Sequence, residues 1–224
     1  MKPFRRVTRL GGLALMSAAV IEMPATIFDP DLMASPDAIQ NPSWVPSHLA
    51  FSVAYTLVLP GLVALYLRQA DRLRWWGEAG FVLALFGSTL TVSVSMLVGA
   101  ALPLIAPQSP GLTRSLPFFE PGRPLYFMQP AVVLTALTYF PGYVLTGIAT
   151  LRARVLSPWA ARFIVLGALG TLGALAGAGT VARLITISGA AFLGVAFGWL
   201  GYELVVATSG PAREPAFSNT ETPV

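Results

Sequence analysis

The chain has 224 residues, of which 55% are hydrophobic and 11% are charged, with a formal net charge of +4 and no cysteine. This composition is too apolar for an ordinary soluble domain. The lack of cysteine excludes disulfides, thiolate metal sites and dithiol redox chemistry. The excess of positive charge fits basic cytoplasmic loops facing anionic lipid, so no nucleic acid partner is expected.

Six segments are long and apolar enough to be membrane-spanning helices, since roughly 20 helical residues cross a hydrocarbon layer of ~30 Å. They cover residues 10–28, 46–67, 77–102, 126–150, 159–180 and 184–206. This pattern predicts an all-α fold, a polytopic transmembrane helix bundle that forms a single domain over 1–208. A polar, proline-bearing tail over 209–224 is expected to be disordered and cytoplasmic.

Basic residues accumulate at one end of these segments. Every Lys and Arg except Arg114, Arg123 and Arg183 lies before the first segment, near the turns after the second and fourth, or after the sixth. Short cytoplasmic loops retain Lys and Arg. We therefore predict a bacterial inner-membrane protein with both termini cytoplasmic and with 29–45 and 103–125 outside.

The first segment has a second interpretation. The basic N-terminus would suit a cleaved signal peptide, and the small residues Ser17 to Ala19 form a passable cleavage site. Apolar residues nevertheless continue to Phe28. A retained transmembrane helix is therefore favoured over a signal peptide.

A short internal echo links the second and fourth segments. Pro60-Gly61 and Pro141-Gly142 both lie near the middle of a segment that runs into a basic turn. Proline removes a backbone hydrogen bond, so helix kinks are expected at both positions. This similarity has two equally good explanations, chance and a parallel repeat of helix pairs 2-3 and 4-5. Parallel repeats of this kind occur in transporters.

Glycines recur along the last two segments. Gly173 and Gly177 form one G-x-x-x-G motif, and Gly194 and Gly198 form another. Glycines let helix backbones approach closely inside a bilayer. We predict that the fifth and sixth segments form an antiparallel hairpin packed through these glycines, and a partner-binding face is the alternative.

Few ionisable residues lie at membrane depth. Glu22 stands inside the first segment, His48 near the outer end of the second, and Arg183 at the last outer turn, while Glu120 and Arg123 belong to the second outer loop. A structural role is favoured, in which Glu22 pairs with Arg183 or is protonated, because an isolated charge in lipid needs a partner. A proton-coupled site using Glu22 and His48, or an anion site around Arg183 and Arg123, is the alternative.

The sequence contains no motif for a nucleophile, a metal site or a phosphate-binding loop, so an enzyme is not favoured and no catalytic residue, metal ligand or cofactor is predicted. An accessory or structural subunit, embedded in the lipid bilayer and assembling with another membrane protein, fits best. A small-solute or proton-coupled transporter is the first alternative. An intramembrane enzyme or a binder of lipid or quinone, working from His48, is the second.

Overall fold

The computed structural model describes residues 2–30, 36–105, 107–108, 129–175 and 179–209. This part of the chain holds six principal helices and no strand, which confirms the all-α prediction. The helices are α1 Lys2–Phe28, α2 Trp44–Gln69, α3 Trp75–Met96, α4 Gln129–Ala153, α5 Pro158–Thr171 and α6 Thr180–Ser209. Most of the predicted second outer loop, with Glu120 and Arg123, and the tail from residue 210 lie outside the described residues.

Among the described residues, five helices are long and apolar enough to cross a membrane, so the chain is a multi-pass membrane protein. Their bounds lie within a few residues of the predicted segments, apart from the first, which begins earlier. The spans are Phe4–Phe28, Trp44–Arg72, Trp75–Ile105, Pro130–Ala153 and Thr180–Ala207.

The predicted segment 159–180 is only partly α-helical. Helix α5 has 14 residues, and the 3-10 helix Leu172–Leu175 continues it. At rises of about 1.5 and 2.0 Å per residue, the two extend roughly 29 Å together, close to the thickness of the hydrocarbon layer. The glycines at positions 167, 170 and 173 weaken helix propensity, which accounts for the early end of the α-helix.

The six helices form a closed ring. Each helix packs against the next one in the chain, and α6 packs against α1. Neighbours run antiparallel, as shown where Gly80 of α3 meets Leu145 of α4 and Gly87 meets Tyr139. The start of α1 and the end of α6 therefore share one end of the ring, here called the terminal end. The opposite end is called the loop end.

The hairpin of α5 and α6 does pack through glycines. A Cβ added to Gly167 would lie 2.8 Å from the backbone nitrogen of Leu193, and one added to Gly170 would lie 2.6 Å from the Cα of Gly189. Gly173 also faces α6. The backbones of the two helices are thus in close contact, as expected for small residues in a membrane.

The second predicted motif faces a different helix. The closest atoms to a Cβ at Gly194 and Gly198 belong to Ala19 of α1. The prediction that Gly194 and Gly198 pack against α5 is therefore wrong, because α6 presents one glycine face to each of its two neighbours. Gly177 lies outside the described residues.

Pro60 and Pro141 both lie inside helices that continue past them, α2 and α4. The glycine that follows each proline packs against the preceding helix, Gly61 against Leu15 of α1 and Gly142 against the backbone of α3. The two Pro-Gly pairs thus occupy equivalent places in successive hairpins. The duplication itself stays a hypothesis.

Candidate functional site

A hydrogen-bonded chain of polar side chains runs through the interior of the ring. The hydroxyl of Tyr55 donates to Glu22 Oε1 at 2.8 Å and lies 2.7 Å from the hydroxyl of Tyr139. Glu22 is 2% exposed, and both tyrosines are buried. The chain joins α1, α2 and α4 through the hydroxyl of Tyr55.

The position of Glu22 follows from the periodicity of α1. Its buried residues include Gly11, Leu15, Ala18, Glu22 and Ala25, at alternating spacings of four and three. This spacing defines one face of a helix, and the face packs against α2 and the rest of the interior. An acidic residue inside such a stripe must face the protein.

Tyr143 extends the polar interior toward α3. It lies one turn after Tyr139 on α4, with ring centroids 4.6 Å apart, and its hydroxyl is 2.8 Å from Ser88 Oγ. The ring also contacts Phe197 of α6 at a centroid distance of 5.8 Å. Buried tyrosines usually find a partner for the hydroxyl, and each of these three does.

A cavity of about 230 Å³ connects Glu22 to the loop end of the ring. Its wall combines Glu22 and Tyr55 with residues of α1, α2, α6 and the end of α5. The other lining residues are Thr26, Asp29, Phe51, Thr171, Arg183, Thr186, Ile187 and Ala190. The cavity is smaller than a typical drug-sized site of ~300 Å³ or more, so it suits a small solute.

Arg183 lines this cavity but forms no ion pair with Glu22, and both side chains belong to the described part of the chain. Its guanidinium donates to the backbone carbonyls of Ile27 at 3.1 Å and Asp29 at 2.9 Å. The last carbonyls of a helix lack intrahelical partners and carry partial negative charge. Arg183 therefore caps the end of α1 and holds α6 to it.

His48 lies beside the cavity rather than in its wall. Its Nδ1 is 2.9 Å from the carbonyl oxygen of Trp44 and 3.5 Å from Asp29 Oδ1. A carbonyl only accepts, so Nδ1 carries a proton and donates to Trp44. His48 thus links the start of α2 to the end of α1 and does not contact Glu22.

A π-helical turn, Leu97–Ala101, follows α3 next to this residue. The indole of Trp44 donates to the carbonyl of Val98 at 3.3 Å, and Gly99 packs against His48. Such turns occur often at functional sites because they alter the helix hydrogen-bond pattern. Here the turn fits α3 closely against the start of α2.

Of the five residues singled out in the sequence, the structure brings Glu22 and Arg183 to one cavity and places His48 beside it. Glu120 and Arg123 lie outside the described residues. Within the described ranges, no three His, Asp or Glu side chains group as metal ligands would. The main residues missed are Tyr55, Tyr139, Tyr143 and Ser88. The i, i+4 spacing of Tyr139 and Tyr143 inside an apolar span was the available signal.

No family model, curated protein or solved structure matches the chain.

Proposed function

We propose that the protein is a proton-coupled carrier of a small cationic solute in the bacterial inner membrane. The observation that carries the proposal is the Glu22 carboxyl group. One oxygen accepts from Tyr55, while the other, Oε2, is buried without a hydrogen-bond partner in a residue that lines the cavity. An ionisable group at membrane depth is by default a candidate for binding an ion or a proton.

The cavity wall favours a solute that donates hydrogen bonds. The hydroxyls of Thr26, Thr171 and Thr186 each donate to a carbonyl of their own helix, at 2.9–3.0 Å. Their remaining capacity is to accept. Together with Glu22 Oε2, these oxygens form an acceptor-rich lining, which suits an ammonium-like or guanidinium-like group.

The charges in the cavity support a cation as well. Two carboxyl groups, Glu22 and Asp29, and one guanidinium, Arg183, line it. A buried carboxylate without a paired charge is costly. Glu22 can meet this cost with one positive charge at a time, a proton or the solute. Exchange of the two at one carboxyl is the basis of the proposed coupling.

The membrane orientation is part of the same proposal. The terminal end of the ring carries basic side chains, with Arg5, Arg6 and Arg9 in the first turns of α1 and Arg68 in the last turn of α2. Short basic segments stay in the cytoplasm. With both termini cytoplasmic, the cavity at the loop end faces the outer side.

Guanidinium uptake into proteoliposomes tests the proposal. Guanidinium keeps its charge at all working pH values and offers planar hydrogen-bond donors. A pH gradient should drive its accumulation by the full-length protein, whereas tetramethylammonium, which has no such donors, should accumulate far less. Glu22→Gln should abolish the uptake, because the amide cannot exchange a proton for a cation.

Glu78→Gln is the matched control, since Glu78 is an exposed carboxyl in the first turn of α3. It should transport like the unmodified protein. Uptake no faster than in protein-free liposomes, or uptake that survives Glu22→Gln, would refute the carrier. The accessory-subunit role stays a prediction, and co-purification of a stable partner from native membranes tests it.

A further inference from the structure

Helix α4 carries a stripe of polar side chains that faces the interior of the ring. Tyr139, Tyr143, Thr146 and Thr150 follow one another at spacings of four, three and four, and all are buried. At 100° per residue, these positions lie on one face of the helix. Eleven residues of helix rise about 16 Å, so the stripe covers roughly half of the ~30 Å hydrocarbon layer.

Both ends of the stripe continue onto α2. At its upper end, toward the loop end of the ring, the hydroxyl of Tyr139 is linked to Glu22 through Tyr55. At its lower end, toward the terminal end, Gln69 Nε2 donates to Thr150 Oγ1 at 3.2 Å. Gln69 is the last residue of α2, at the terminal end. Polar groups therefore extend from the cavity wall almost to the opposite end of the ring.

Two oxygens in the lower half of this arrangement are buried without a hydrogen-bond partner, Thr146 Oγ1 and Gln69 Oε1. Buried polar atoms in native proteins are nearly always bonded to protein or to ordered water. Such water typically bridges polar groups that the protein leaves unsatisfied. The lower half of the stripe thus offers two unpaired oxygens to which ordered water would bind.

We propose that the polar column, defined as Glu22, Tyr55, Tyr139, Tyr143, Thr146, Thr150 and Gln69, conducts protons between Glu22 and the terminal end. The inference rests on the proposed function in one respect, that Glu22 is the group that holds the proton. A hydroxyl or a water molecule both accepts and donates. Each hydroxyl of the column therefore takes a proton on a lone pair and releases its own.

The transfer is balanced along the column. Only O–H bonds form and break, no group is oxidised or reduced, and one proton leaves Glu22 as another reaches the terminal end. Gln69 does not relay a proton itself, and its amide donates to Thr150 Oγ1 and so holds that hydroxyl in place. Tyr143 is held in line by its hydrogen bond with Ser88.

Proton flux without added solute tests the column. Liposomes that contain the full-length protein and an internal pH-sensitive dye are given a potassium diffusion potential with valinomycin. The unmodified protein should admit protons measurably faster than protein-free liposomes. Tyr139→Phe should lower this flux by about tenfold or more, the factor that ~1.4 kcal/mol of extra barrier produces.

Tyr66→Phe is the matched control, because Tyr66 contacts Phe81 through its ring and lies outside the column. It should conduct like the unmodified protein. Thr146→Val should also lower the flux, and Thr146→Ser, which restores a hydroxyl, should recover it. A merely structural role for the stripe would not produce recovery by the hydroxyl alone.

The outcomes separate the column from the carrier. The column would be overturned if the unmodified protein gave a flux equal to that of protein-free liposomes. It would also be overturned if Tyr139→Phe and Thr146→Val conducted protons as fast as the unmodified protein. If guanidinium uptake then still depended on Glu22, the carrier would stand without the column. Flux that depends on Tyr139 and Thr146 in a protein that takes up no guanidinium would support the column and refute the carrier.

Discussion

The backbones of Gly12 and Gly201 approach each other so closely that neither position has room for a side chain. A Cβ on Gly12 would lie 2.6 Å from the carbonyl oxygen of Gly201, and a Cβ on Gly201 would lie 2.5 Å from that of Gly12. Both partner atoms are backbone, which cannot swing aside as a flexible side chain can. These two glycines bring the first and last helices together and close the ring.

Gly201→Ala should therefore destabilise the protein. Overpacking costs about 1–3 kcal/mol, which exceeds the ~0.5–1 kcal/mol that alanine gains over glycine in a helix. Gly194→Ala is the control, since the nearest atom to its Cβ would be Ala19 O at 3.7 Å. Thermal unfolding in detergent should show a lower Tm for Gly201→Ala and an unchanged or higher Tm for Gly194→Ala. Equal effects at both positions would contradict the packing.

Tyr55→Phe should destabilise the protein and leave the ring contact of Tyr55 with Tyr139 in place. The change removes the donor to Glu22 Oε1, and an unsatisfied buried acceptor costs about 1–3 kcal/mol. Tyr66→Phe serves as the comparison, because the described contact of Tyr66 is made by its ring. Chemical denaturation of both variants gives the difference. A loss no greater in Tyr55→Phe than in Tyr66→Phe would disprove a stabilising hydrogen bond.

Glu203→Ala should loosen the start of α5. Glu203 Oε2 accepts from the backbone nitrogen of Ser157 at 2.9 Å, and Oε1 accepts from the Trp199 indole at 2.9 Å. A carboxylate at a helix N-terminus satisfies a free N–H and complements the helix dipole, which is worth about 0.5–2 kcal/mol. Hydrogen exchange at Ser157 and at residues 159–162 should accelerate in Glu203→Ala and stay constant in Glu78→Ala. Unchanged protection in both variants would contradict a stabilising role of Glu203 at the start of α5.

Reporter fusions test the orientation and the short fifth helix together. Fusions after Arg72 and Val155 should report the cytoplasm, and a fusion near Pro36 should report the outer side. Because α5 and its 3-10 extension reach nearly across the layer, a fusion at Arg213 should also report the cytoplasm. An outer signal at Arg213 would mean that this element does not cross.

The number of helices and most of their limits could be predicted, because crossing a bilayer sets a minimum apolar length. The inward direction of Glu22 could be predicted as well, since lipid penalises an exposed carboxyl and α1 has a clear buried stripe. The early end of α5 was missed because length and hydropathy do not register the loss of helix propensity at successive glycines.

The partners of Glu22 could not be predicted from the sequence. The sequence favours a Glu22 that is either paired with Arg183 or protonated. The ion pair does not form, because the carboxyl accepts from Tyr55 and the guanidinium caps α1. In helices that are apolar on all sides, periodicity does not indicate which neighbour a residue meets. The order of the six helices around the ring is set by long-range packing, so the link from Glu22 through Tyr55 to Tyr139 of α4 became visible only in the folded protein.

Ring closure between α1 and α6 has a consequence for biosynthesis. The first helix leaves the ribosome long before the last, so Gly12 cannot pack against Gly201 until α6 has been synthesised. During that time α1 and α2 can already form a hairpin, and Tyr55 can satisfy Glu22 inside it. The face of α1 around Gly12 and Ala19 lacks its packing partner until α6 has been synthesised. Assembly of the ring is therefore completed after translation of the last helix, whatever the speed of the earlier insertions.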